Sequence, residues 1–218
     1  FVSVLIFGFA NLFLCLALFL GGGATVSLPF AGYGFEANFV SSGLSAVLPL
    51  FSSVVALLLA GYSATYYRGK KEGGLFLLFF FVSVAFVNGA LLSDNLPVML
   101  VFWEGLLILM SVLLLIGNLQ KPRAVIKMLW ISGVADLMLM LGVIITIHVS
   151  GQSNISAITR LPVEGVGAAG CVLMLLGALG KAGAVPFHSW IPLAAEDAQS
   201  PFLALFPASF EKILGIWL

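Results

Sequence analysis

Apolar stretches recur along this chain at residues 1–20, 43–62, 74–92, 96–117, 124–149, 165–193 and 202–218. A hydrocarbon core of roughly 30 Å is crossed by about 20 such residues in helical form. With 61% hydrophobic and only 8% charged residues, against roughly 25% charged in a soluble domain, no polar domain separates the stretches. The backbone must satisfy its own hydrogen bonds in lipid, which selects helices over open sheets. We therefore expect a single all-α domain over residues 1–218: a polytopic transmembrane bundle of six complete helices and a partial seventh. No strand alternation persists, and residues 21–42, rich in Gly, Ser and aromatics, are expected to form a loop.

The connections carry a charge bias. Arg68, Lys70 and Lys71 share one loop, and Lys121 and Arg123 the next alternate one, whereas the intervening connections hold Glu36, Asp94, and Arg160 with Glu164. Basic loops stay inside, so loops 68–71 and 121–123 are assigned to the cytoplasm of a multi-pass protein of the cell (inner) membrane. A net charge of zero gives no footprint for nucleic acid. Cys15 and Cys171 lie in separate apolar stretches with neither metal spacing nor a disulfide pattern, and no phosphate-loop or nucleotide signature is present. The chain opens on Phe and stops inside an apolar segment, so it reads as part of a longer protein.

Against this background the ionisable residues inside the apolar stretches stand out. Lys181 lies in the sixth stretch, followed by Pro186, His188 and Pro192. A charged side chain at the bilayer centre costs at least ~2.5 kcal/mol, and such residues mark ion or proton paths. The prolines remove backbone donors, which predicts a broken helix. Glu104 sits about 12 Å along the fourth helix at 1.5 Å per residue, too deep to reach the headgroups. Asp136 is deep in the fifth, as a packing or ion-pair residue or as a proton carrier; Lys127 near that helix's cytoplasmic end can snorkel, and His148 suits its outer terminus. Lys212 is a second lysine in an apolar stretch.

The stretch Gly180-Lys181-Ala182-Gly183-Ala184-Val185-Pro186-Phe187-His188-Ser189-Trp190-Ile191-Pro192 resembles the broken seventh helix of the antiporter-like subunits shared by respiratory complex I, membrane-bound hydrogenases and Mrp-type sodium/proton antiporters. The continuation through Ala198, Pro201 and Pro207 keeps the family's spacing to Lys212, and Phe102-Trp103-Glu104 resembles its fifth-helix glutamate motif. Gly43-Leu44-Ser45-Ala46 and Asp94-Asn95-Leu96 extend the resemblance, with Ser42 standing where many relatives have aspartate. The resemblance implies the N-terminal portion of a larger inverted-repeat fold, lacking its first helix and second half. It also implies a half-channel in which Glu104 pairs with Lys181 while His188 and water pass a proton toward Lys212.

On this reading the chain is a proton-translocating subunit of a redox-driven complex of the hydrogenase or complex I type, embedded among other membrane subunits. It would hold no cofactor and do no redox chemistry itself; iron-sulfur clusters, nickel-iron or quinone would belong to partner subunits. The alternatives are an Mrp-type sodium/proton antiporter subunit, with Glu104 and Asp136 passing the cation, and a structural subunit whose buried charges merely pair.

Overall fold

The structure is a computed structural model and describes residues 2–30, 35–116, 122–158, 164–197 and 201–202. The helices are α1 (Val2–Leu20), α2 (Leu44–Tyr66), α3 (Gly73–Leu92), α4 (Leu96–Leu115), α5 (Arg123–Ser150), α6 (Gly165–Lys181) and a short α7 (Ile191–Asp197). The first five are each long and apolar enough to cross a membrane, and α6 is a shorter apolar helix of 17 residues. Each packs against its neighbour in sequence, α1 on α2, α2 on α3, α3 on α4, α4 on α5 and α5 on α6. The result is the expected all-α membrane bundle, and the partial seventh helix expected at 202–218 lies outside the described residues beyond Phe202.

Segment ends follow local chemistry. Asn95 caps α4 by accepting from the Val98 N–H at 3.3 Å, with Pro97 in the first turn, where a missing N–H costs nothing. Gly151 ends α5 at φ 68°, a left-handed residue that closes helices when no Cβ is present.

The loop expected at residues 21–42 contains a β-hairpin instead, β1 (Ala24–Phe30) against β2 (Phe35–Ser41), antiparallel with Val26 opposite Phe39 and Leu28 opposite Ala37. Apolar residues alternate with polar ones in both strands, Val26 and Leu28 around Ser27, Ala37 and Phe39 around Asn38. Each strand is only seven residues long, which hides a period of two beside much longer helical runs.

The hairpin roofs one end of the bundle. The Asp94 N–H donates to Asn38 O at 2.8 Å, Leu96 N–H to Ser153 O at 2.9 Å, and Ile155 N–H to Asp94 O at 2.7 Å. The Asp94 carboxylate accepts from Ser156 N–H at 2.8 Å and from its hydroxyl at 2.6 Å. Asn95 donates to Asn154 Oδ1 at 3.0 Å. Strand β2, the 93–95 connection and the 151–158 segment are thus one hydrogen-bonded layer, and the turn carrying Arg68, Lys70 and Lys71 follows α2 at the other end.

Inside the bundle, Phe76, Phe80, Met99, Trp103, Leu106, Met110 and Leu113 are wholly or almost wholly buried, while Leu58, Val101, Ile108 and Trp130 lie exposed. That outward apolar surface is what lipid contact requires. Small residues bring the backbones together, as they do where lipid removes the hydrophobic driving force. On α3 and α4 the fit is reciprocal: Phe102 fills the space over Gly89, and Phe86 that over Gly105. The two rings meet edge to face at 5.5 Å. Asn88 of α3 donates to Asn11 of α1 at 2.9 Å, tying the first helix to the third.

Candidate functional site

Lys181 is the last residue of α6, and the helix stops there for a reason that starts two residues later. Gly183 adopts φ 66°; its N–H returns to Gly180 O at 3.1 Å and the next, of Ala184, to Leu179 O at 2.9 Å. This is a Schellman closure, which a glycine permits and a following proline completes. The break expected from the prolines is therefore made first by Gly183. Pro186 follows a cis peptide, the chain makes a 3-10 turn at Phe187–Trp190, and α7 begins with Pro192 in its first turn. The expected run over residues 165–193 is in this way divided into three elements.

Helix α6 approaches α5 closely at this level. A Cβ on Gly180 would collide with Ala135, and one on Gly177 would lie 2.9 Å from Ala135 O. The neighbour of Ala135 is Asp136, and the close approach lets Lys181 reach it. Lys181 Nζ lies 3.0 Å from Asp136 Oδ2 and 3.4 Å from Oδ1. Lys181 is 1% exposed and Asp136 2%.

A third helix completes the arrangement. The Trp103 indole N–H of α4 donates to Asp136 Oδ1 at 2.7 Å. Lys181 Nζ is 3.5 Å from Trp103 O and 5.3 Å from the centre of its ring. Burying two opposite charges is favourable only when their remaining hydrogen-bonding capacity is also met. Here both Asp136 oxygens have donors, and the ammonium faces a carboxylate, a carbonyl and an aromatic face. Its place at the C-terminus of α6 adds the negative end of a helix dipole.

The expected Glu104–Lys181 pairing is corrected: the partner of Lys181 is Asp136. Among the described residues Lys181 forms no ion pair with Glu104. Helix geometry explains the exchange, since Trp103 and Glu104 point about 100° apart around α4, and it is Trp103 that is fully buried against α5 and α6. Glu104 is half-buried, with Oε1 buried and unpartnered among the described residues. It lies within electrostatic range of both Asp136 and Lys181.

The remaining candidates sit apart. His188 is exposed in the 3-10 turn, Lys127 is exposed near the start of α5, and His148 is exposed in its last turn. Lys212 lies outside the described residues, as do Arg160 and Lys121. Sequence reasoning gave Trp103 no role of its own. The available signal was a tryptophan beside a deep acid, since a buried indole N–H seeks an acceptor.

The family model for the transmembrane region of NADH:quinone oxidoreductases and Mrp antiporters matches residues 93–218, more than half the chain and the whole of the Trp103, Asp136 and Lys181 cluster. The chain belongs to this family. It is 28% identical over 193 residues to NADH-ubiquinone oxidoreductase chain 5 of Cryptococcus neoformans, covering 83% of this chain and 28% of that protein. It is 30% identical over 203 residues to Na(+)/H(+) antiporter subunit A1 of Staphylococcus haemolyticus, covering 88% and 24%. Among solved structures it superposes on a chain of the Mrp complex from Dietzia with a TM-score of 0.83, at 22% identity, over 98% of this chain and 41% of that one. At that identity the likeness is one of fold. The chain spans 24 to 28% of the length of these two curated relatives. It is a multi-pass antiporter-like membrane subunit.

Proposed function

We propose that the chain relays protons across the membrane as an antiporter-like subunit of a redox-driven complex of the complex I or membrane-bound hydrogenase type. The observation that carries this reading is the Lys181–Asp136 pair, fully buried at a helix terminus among three helices. A packing-only role is the less economical use of two charges at that depth. A buried carboxylate and ammonium that can be held together or parted form the kind of charge pair that intramembrane proton paths use, and Glu104 lies within electrostatic range of both. The onward path runs through His188 and Lys212. The driving redox chemistry, with its iron-sulfur clusters, nickel-iron or quinone, belongs to partner membrane subunits. The membrane is the inner cell membrane, with loops 68–71 and 121–123 cytoplasmic.

The test uses the full-length protein in native membrane vesicles. Lys181→Ala is expected to abolish coupled proton translocation while the protein still inserts and assembles. Wild-type translocation in that variant would end the proposal. A second reading, sodium/proton exchange through Glu104 and Asp136, draws on the similarity to the staphylococcal antiporter subunit. It predicts sodium-dependent activity that survives a protonophore.

A further inference from the structure

The most constrained group in the buried cluster is neither of its charges. Trp103 touches both: its indole N–H holds Asp136 Oδ1 at 2.7 Å, and its own carbonyl lies 3.5 Å from Lys181 Nζ, with its ring beneath the ammonium at 5.3 Å. The side chain is 0% exposed, so no solvent competes for the N–H. The 2.7 Å bond is at the short, charge-assisted end of the range. It occupies Oδ1 and leaves Oδ2 for the lysine, whose closest approach, 3.0 Å, is to Oδ2. The acceptor carbonyl belongs to the residue joined to Glu104, so a shift of the α4 backbone at this point moves the lysine's acceptor and the neighbouring acid together.

We propose that Trp103 is a positioning residue of the ion path: with its indole N–H and its carbonyl it clamps Asp136 and Lys181 as one pair, and the pair opens only when α4 moves at Trp103–Glu104. This rests on the relay reading above and adds what holds the relay closed. A bystander tryptophan would need only its shape; a clamp needs its N–H.

The experiment therefore removes the N–H and keeps the shape. Benzothienylalanine, which carries sulfur where indole carries N–H, is introduced at position 103 of the full-length chain, with a ring-fluorinated tryptophan that keeps the N–H as control. Two quantities are read: the Asp136 carboxylate stretch in infrared difference spectra, assigned with Asp136→Asn, and proton translocation in vesicles. The expected result is a shifted Asp136 band and a roughly tenfold loss of translocation, the order of effect of removing one hydrogen bond to a charged group, with fluorotryptophan matching wild type on both. An unshifted band in the sulfur variant overturns the clamp, and so does a shifted band with undiminished translocation. Failure of the relay reading itself shows separately, as wild-type translocation in Lys181→Ala. Because the sulfur isostere preserves packing, it stays informative even where Trp103→Ala does not fold.

Discussion

Asp136 and Lys181 stabilise one another only as a pair. Removing one partner of a buried pair typically costs about 3–5 kcal/mol, because the other charge is left unmatched. Asp136→Asn is therefore expected to lower the thermal midpoint of the detergent-solubilised protein and to impair translocation. The double variant Asp136→Leu with Lys181→Met should recover much of the midpoint and none of the translocation. Midpoint and translocation restored together would show that the charges serve packing alone. At this scale the sequence showed which ionisable residues lie in apolar stretches and was silent about which of them meet. Glu104 and Asp136 were both visible as deep acids facing a deep lysine. The choice between them turns on the rotation of α4, and a helix that is apolar on nearly every side carries no periodic mark of which face turns inward.

Helices α5 and α6 run against each other through glycine, and their separation sets the reach of Lys181. Gly177 meets Leu139 and the Ala135 carbonyl so closely that a side chain there must push the helices apart. Overpacking of this kind costs about 1–3 kcal/mol. Gly177→Leu should destabilise the bundle by that order and lengthen the Lys181–Asp136 contact, detectable as a shift of the same carboxylate band; an unchanged band would mean that helix spacing does not set the pair. Gly183 makes a second case. Its left-handed φ of 66° is the conformation that Cβ-bearing residues resist, so Gly183→Val should weaken the Schellman closure and reduce stability, whereas Ala182→Ser, at ordinary helical angles, should be tolerated. Melting curves of the two variants compare these directly. The broken helix was legible as an element because proline and glycine act locally; its stopping point after Lys181 depended on two hydrogen bonds that the prolines alone do not predict.

For the whole molecule, the hairpin, the 93–95 connection and the 151–158 segment interlock at one end, and the basic turn after α2 lies at the other. Cysteines placed at Lys71 and at Ser156 should therefore react with a membrane-impermeant maleimide from opposite sides, Lys71 only in inside-out vesicles. Labelling from the same side would overturn the topology. Asp94→Ala removes both acceptors used by Ser156, and should raise hydrogen exchange in the hairpin and the 151–158 segment with little effect near Lys181. Exchange confined to residue 94 and its neighbours would show that the layer does not act as a unit.

By composition and local pattern alone, the chain was bound to cross a membrane as helices and to hide a lysine near a broken helix. Those properties follow from transfer free energy and backbone hydrogen bonding, which are local and roughly additive along the chain. The tertiary structure decided that 24–30 and 35–41 pair as strands, that Asp136 rather than Glu104 holds Lys181, and that Trp103 joins them. Each of these depends on which faces of separate helices come together, and in an apolar bundle that is set by glycine-permitted approach between segments far apart in sequence.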